Sequence, residues 1–510
     1  MTPALTAVSS TSRRDWLQLL AASLTGVLIP LCFTGPAVVL PSINQELGGS
    51  AVQLNWVVNG YILTYGSAMM AAGSLTDTYG RKRVWLIGLA LFVLMTGLIA
   101  LAPTVAWIDG LRLAQGLGGA AAFAGAMSSL AQTFHGPIRT RVFSLLGTTF
   151  GIGLAFGPLA AGWLVEMAGW RWVFLATALI GVAGFLLVWV SATESRDPDA
   201  TGLDWPGALT FTAALSLFTY AILLAPEAGW RSALVLGPLL GSGVLFIVFV
   251  RIERRAARPM LDLSLFSSRR FVGVQVLAAS PAFFFVTLIV MLPGRFIGID
   301  GLSALAAGQM MIALAAPLLV VPFLAALLSR WFSSGTLSAV GLLLLAVGLV
   351  WLAEVLSAGA GPALVAPLVL IGAGVGLPWG LMDGMAVSVV EKQRAGMATG
   401  IFNCVRVSAD GIAVAVAGAL LALLIQDGLF DALPAADPAV VLEAANRAAL
   451  GDLAHASALV NSESALLLST YDRAFSRILY ILAASSLLTA LLVLALLGRS
   501  RAHEEVGAAA

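Results

Sequence analysis

The sequence predicts an all-α integral membrane protein of about fourteen transmembrane helices, on three observations. Hydrophobic residues make up 60% of the 510-residue chain and charged residues only 10%, against roughly 25% charged in a soluble domain. Apolar runs of about 20 residues, long enough to cross a bilayer core, recur along nearly the whole chain. The bases between those runs alternate sharply between a rich and a poor side.

The first run, 17–40, follows Arg13-Arg14 and extends to Leu40 with no A-x-A site. It therefore reads as an uncleaved first helix after a short N-terminus, 1–16, and not as a twin-arginine export signal. Runs 54–73 and 84–102 flank a connection rich in glycine and bases. The fourth, 106–132, encloses Arg112, and the fifth, 141–165, carries Pro158 among small residues. Gly169 separates the fifth from the sixth, 170–192. Asp204-Trp205-Pro206-Gly207 opens the seventh, 206–225, and Gly229-Trp230 precedes the eighth, 232–251. Beyond the basic stretch 251–270 come runs 270–293, 303–328, 335–356 and 362–388, the last containing Pro378 between glycines. Run 397–425 encloses Arg406 and Asp410, and run 473–498 closes the series before a tail, 499–510. The segment 426–472, with its Pro434 to Pro438 turn, reads as a partly helical cap or a plain flexible loop.

An even number of crossings puts both termini on one side. With the N-terminus inside, 19 of the 27 Lys and Arg fall on cytoplasmic loops and six on outer ones, leaving Arg112 and Arg406 within runs. That bias predicts cytoplasmic termini and, for a bacterial cell, the inner membrane. The formal net charge of +1 and the lack of a basic cluster beside stacking aromatics exclude nucleic-acid binding. Cys32 and Cys404 have neither the number nor the spacing of a metal site or disulfide framework, and read as packing residues. The three His lie outside the runs, with no nucleophile-base pairing in view, so no enzyme is expected. No cofactor is expected. There is no G-x-x-x-x-G-K-[ST] loop, so ATP held by a P-loop is not the energy source.

Four motifs carry the functional reading. Gly73-Ser74-Leu75-Thr76-Asp77-Thr78-Tyr79-Gly80-Arg81-Lys82-Arg83 follows the second run as a tight basic loop, in which Gly73 and Gly80 allow the turn and close approach. Asp77 is placed to meet a helix N-terminus or a cation when the cytoplasmic side shuts. Arg112-Leu113-Ala114-Gln115-Gly116-Leu117-Gly118 puts a costly cation inside a helix. The stretch from Gly153 through Gly157-Pro158 to Gly162 combines small residues with a bend. Pro259 to Phe266 precedes the ninth run.

These motifs resemble, in order, the signature loop, the fourth-helix motif and the antiporter motif of the major facilitator superfamily. Together with the Asp204 and Gly229-Trp230 segments, they are similar to its fourteen-helix drug:proton antiporter branch. The resemblance implies a major facilitator fold of two six-helix bundles, 17–192 and 270–498, with two helices inserted at 206–251 and a linker at 252–269. It also implies proton-driven multidrug efflux, with Gly73, Asp77, Gly80, Arg81, Lys82 and Arg83 as a gating loop. Two departures stand out. Cys32 and Ala37 occupy the first-helix positions where that branch often has an acid and an Asn, and Ser329-Arg330-Trp331-Phe332-Ser333 is a degraded second copy of the loop.

Proton coupling needs a membrane-embedded group that gains and loses a proton, and burial favours the neutral form of a carboxyl. Asp410, about 13 residues into its run and thus ~20 Å deep, and Asp383 are the candidate acids, with Arg112 and Arg406 as their candidate partners. Arg406 stands four residues before Asp410, the spacing of a helical ion pair. Trp56, Asn59, Tyr61, Phe150, Trp379 and Asn403 are candidates to line an amphipathic cavity for a small amphipathic or cationic substrate; packing is the competing role of each. Two other readings stay open: a narrower, uncoupled metabolite exporter, and a membrane sensor or scaffold. A monomer is expected.

Overall fold

The computed structural model describes residues 12–134, 136–196, 204–256, 259, 261, 263–356, 359, 361–390, 395–460 and 464–498. Met260, Asp262, Lys392 and Arg394, the tail 499–510 and most of the N-terminus lie outside the described residues.

Every long element is a helix. In chain order they are α1 (Arg13–Leu47), α2 (Ala51–Tyr79), α3 (Arg81–Ala100), α4 (Val105–Thr133), α5 (Gly136–Ala168), α6 (Trp170–Ser191), α7 (Trp205–Ala228) and α8 (Ala233–Glu253). There follow α9 (Arg269–Pro281), α10 (Thr287–Gly298), α11 (Ala304–Ala315), α12 (Pro317–Leu328), α13 (Ser334–Leu356), α14 (Val365–Ser388) and α15 (Ala395–Ala432). The series ends with α16 (Pro438–Ala449), α17 (Leu453–Val460) and α18 (Ser464–Leu497). Among the described residues eleven spans are long and apolar enough to cross a membrane, or twelve when the two halves of α5 count as one. Helices α9 and α10 form one of these spans, and α11 and α12 another.

Prolines shape the spans by removing donors. Pro281 has no N–H for the Leu277 carbonyl; the Ser280 hydroxyl donates to that carbonyl at 2.8 Å, and one π turn, Ala282–Val286, joins α9 to α10. Between Leu154 and Phe156, one turn before Pro158, α5 bends by 42°, the kink expected where a proline leaves the carbonyl four residues back without its donor. Gly169, at φ 89°, separates α5 from α6, a left-handed turn that glycine adopts without strain.

Helix α1 packs on α5 and α6, α2 on α4, and α3 on α4 and α6. Helix α13 packs on α14 and α18, and α12 on α14. Between these groups run three seams: α2 against α15, α5 against α11, and α1 against α10. Helix α7 pairs with α8 and also touches α2 and α15. Much of α8 is exposed apolar surface, Leu234, Leu240, Phe246 and Ile247 among it, as fits a lipid-facing helix.

Of the two readings of 426–472, a partly helical cap or a flexible loop, the structure has the helical one. α15 continues to Ala432, α18 begins at Ser464, and α16 and α17 lie between. Asp437 caps α16 by accepting from the Ala439 N–H at 2.9 Å. Arg295, counted on an outer loop from the sequence, is instead buried in α10. Its guanidinium donates to Asp472 at 2.6 Å and to the Leu356 carbonyl at 3.0 Å.

Candidate functional site

The basic loop after α2 is shorter than the sequence suggested. α2 runs to Tyr79 and α3 starts at Arg81, so Gly80, at φ 106°, makes the whole turn. Gly73 lies mid-helix with open space where a Cβ would be, so it makes neither a turn nor a close contact, contrary to the sequence reading. Asp77 pairs with Arg81 one turn on, at 2.8 Å. The N-terminus of α3 is met by a residue the sequence did not flag, Glu194, which accepts from the Lys82 and Arg83 N–H groups at 3.2 and 3.1 Å. A carboxylate at a helix N-terminus complements its dipole and orphan donors. The Lys82 ammonium donates to the Trp189 carbonyl at 2.8 Å.

Arg112 is fully buried in α4. It donates to the Val57 carbonyl at 2.7 Å, to Gln115 Oε1 at 2.6 Å and to the Cys32 carbonyl at 2.7 Å, and it lies over the Tyr61 ring, 4.5 Å from its centroid. The cation is thus held largely by backbone dipoles of α1 and α2. Cys32 is buried beside it, and Gln115 Nε2 donates to its Sγ at 3.5 Å. Asp109, three residues before Arg112 and half-buried, has an Oδ1 without a hydrogen-bond partner among the described residues; its place near the helix start hid it in the sequence.

The glycines of the fifth helix are contact points. A Cβ on Gly153 would meet the Val27 carbonyl and Pro30 of α1, and one on Gly157 the Thr34 hydroxyl. Gly162 faces the Ala304 carbonyl of α11, and Pro158 and Leu159 face Gly308. The motif therefore seats α5 against α1 on one side and α11 on the other, with close backbone approach as its physical content.

The ion pair that the spacing of Arg406 and Asp410 allows is not among the contacts of the described residues. Arg406 lies instead 3.6 Å from Asp383 of α14, whose side chain is 53% exposed. It also donates to Asn403 Oδ1 at 2.9 Å and lies 5.9 Å from the Phe150 ring centroid. Asp410 is buried, only 5% exposed, where α15 meets α2, within electrostatic reach of Tyr65. Tyr65 stacks on Tyr61 with ring centroids 5.8 Å apart, extending the aromatic packing that begins under Arg112. Sequence reasoning passed over Tyr65; its only signal was the i, i+4 spacing from Tyr61.

The six cavity candidates scatter. Asn59 lines a cavity of about 90 Å³ bounded by α1, α2, α7, α10, α15 and α16. Trp56 leans on Tyr220, 5.9 Å between centroids, and Tyr61 is enclosed in packing. Phe150 and Asn403 belong to the Arg406 cluster, and Trp379 packs on Phe285 at 6.0 Å. Only Asn59 of the six borders this cavity. No group of His, Cys, Asp and Glu suited to a metal ion occurs among the described residues.

Near the C-terminal ends of α1 and α5 the two halves are pinned by polar contacts. Glu166 at the end of α5 accepts from the Leu305 N–H at 3.0 Å, and Asn44 of α1 donates to Asp452 at 3.0 Å.

The profile of the Major Facilitator Superfamily matches residues 22–414. The chain is 32% identical over 418 residues to "Drug efflux pump JefA" of Mycobacterium tuberculosis, covering 79% of this chain and 80% of the pump. It is 28% identical over 425 residues to "Tetracenomycin C resistance and export protein" of Streptomyces glaucescens, covering 83% and 79% of the two chains. Among solved structures, an inward-facing, unoccupied bacterial homologue of the human lysosomal transporter Spinster superposes with a TM-score of 0.61 at 15% identity, over 96% of this chain and 99% of the other. The profile match spans most of the chain, and the packed, largely apolar helices agree with it: this is a multi-pass membrane transporter of the Major Facilitator Superfamily.

Proposed function

We propose that the protein exports amphipathic compounds in exchange for protons, by rocking two helix bundles around a central site. The bundles are 17–192 and 270–498, with 206–251 inserted. The observation that carries the reading is Asp410, a carboxyl buried in a membrane helix at the α2–α15 seam. Motion at that seam would hydrate or dry it, and hydration is what decides whether an acid holds its proton. The named drug-efflux relatives support export and the compound class. Asp383, paired with Arg406, is the second acid in the scheme, and Arg112 ties α4 to α1 and α2 within the first bundle.

In this reading there are fourteen crossings. Helices α2 and α4, 29 residues each and so about 43 Å long at 1.5 Å per residue, complete the count. Their polar residues, Asn59, Arg112 and Gln115 among them, lower their hydropathy because they face other helices. Both termini are cytoplasmic by the distribution of bases, and the Gly80 turn, with Asp77 before it and Arg81, Lys82 and Arg83 after it, works as the cytoplasmic gate. With Asn44–Asp452 and Glu166–Leu305 joined, the outer side is the closed one.

The test is proton release from the purified protein in weakly buffered detergent on adding lipophilic cations and neutral drugs. Wild type is expected to release protons and Asp410→Asn to bind without release. Binding without release in wild type would refute coupling and favour the uncoupled exporter.

A further inference from the structure

The cavity that Asn59 borders differs in chemistry from the aromatic, cation-accepting site the sequence suggested. Its walls are small aliphatic residues and three asparagines, Asn55, Asn59 and Asn446, with no acidic, basic or aromatic residue among those lining it. A desolvated cation there would meet neither a carboxylate nor a ring face, which makes its burial costly. An uncharged N–H or O–H group would find amide oxygens instead. Asn59 is 6% exposed; its Nδ2 donates to the Asn55 carbonyl at 3.1 Å, and its Oδ1 is buried with no hydrogen-bond partner among the described residues. Buried acceptors are rarely left unmet in folded proteins, and this one belongs to a residue on the cavity wall.

One wall comes from outside the membrane helices. Asn446, Ala449 and Leu450, in and just after α16, line the cavity, and Asn446 is 5% exposed. α16 is held there by the Asn44–Asp452 hydrogen bond and by Gly451, at φ 84°, whose backbone lies against Gly298 of α10. Without the segment between α15 and α18 the cavity would lack its outer wall. At about 90 Å³ it is smaller than the ~300–1,000 Å³ of a whole drug site, so it suits one polar group of a larger molecule.

We propose that this cavity is a binding subsite for an uncharged, hydrogen-bond-donating group, such as an amide or hydroxyl, of the exported compound, read by Asn59 and by Asn446 of the outer helix α16. The proposal rests on the export reading for its biological meaning and adds the substrate class.

The experiment is equilibrium dialysis of the purified full-length protein, at one pH and without a gradient. The two probes are chloramphenicol, an uncharged compound with hydroxyl and amide donors, and tetraphenylphosphonium, a permanent cation with no donor. Chloramphenicol is expected to bind, and Asn59→Leu and Asn446→Leu each to weaken it about tenfold, the scale of one lost hydrogen bond, with tetraphenylphosphonium unaffected. Failure of chloramphenicol to bind, wild-type affinity in both variants, or equal weakening of both probes would overturn the proposal. If Asn59→Leu does not purify as a monodisperse protein, Asn446→Leu, outside the spanning helices, decides alone. Because no proton movement is measured, failure of proton coupling leaves this result standing, and the reverse also holds.

Discussion

Arg112 and Pro36 meet through one carbonyl. Pro36 cannot donate to the Cys32 carbonyl four residues back, and Arg112 Nη2 donates to that oxygen at 2.7 Å. A carbonyl of α1 left without its ladder donor and a buried cation in α4 thus satisfy one another, which places Arg112 among the residues that fix the geometry of the first bundle.

Replacing Arg112 should therefore cost structure as well as transport. Arg112→Gln leaves the Val57 and Cys32 carbonyls without their charged donor, and hydrogen bonds to charged groups are worth roughly 1.5–3 kcal/mol each. A clear drop in melting temperature, together with at least a tenfold loss of uptake into inverted vesicles, is expected. Export lost at unchanged melting temperature would give Arg112 a purely functional role.

The 3.6 Å pair between Arg406 and Asp383 predicts coupled effects. If the two act as a unit, Asp383→Asn with Arg406→Gln should be no more defective in export than the worse single variant. Strictly additive losses would show that the contact is incidental.

Steric contact at the α1–α5 interface can be tested by relief. Gly157→Ala would drive a methyl into the Thr34 hydroxyl, and overpacking of this kind costs about 1–3 kcal/mol. Adding Thr34→Ala removes the clashing oxygen, so the double variant should regain thermal stability and export relative to Gly157→Ala alone. No recovery would place the defect of the single variant elsewhere.

Orientation has a direct readout. Ala458 is exposed on α17 and Tyr79 is exposed at the end of α2. In intact cells a membrane-impermeant maleimide should label Ala458→Cys and leave Tyr79→Cys unlabelled until the membrane is opened. The opposite pattern would invert the topology drawn from the distribution of bases.

The sequence was most informative where structure is local. The Gly80 turn, the Pro158 bend and the Gly169 break each depend on one residue's backbone preference, and each stands where the sequence put it. It stopped short where a partner comes from elsewhere in the chain. The i, i+4 spacing left open a pair between Arg406 and Asp410 on one helix, and the pair forms with Asp383 across a helix interface. Asp77, read as meeting a helix N-terminus or a cation, pairs with the Arg81 cation, while the helix N-terminus is met by Glu194, more than a hundred residues away. Tyr61, weighed as cavity wall or packing, is buried under Arg112 of α4, a partner its own stretch of chain does not reveal.

By itself the sequence determined the membrane class, the approximate course of the spans and the family, because hydropathy over 20 residues and short motifs are properties of contiguous chain. Tertiary structure alone decided which buried charges pair, which asparagines meet at the cavity, and that α16 walls it. The physical reason lies in the solvent: in a bilayer the lipid-facing and core-facing sides of a helix are both apolar. The periodicity that reveals the inward face of a soluble helix is therefore muted, and rotation and partner are set by packing against helices distant in sequence.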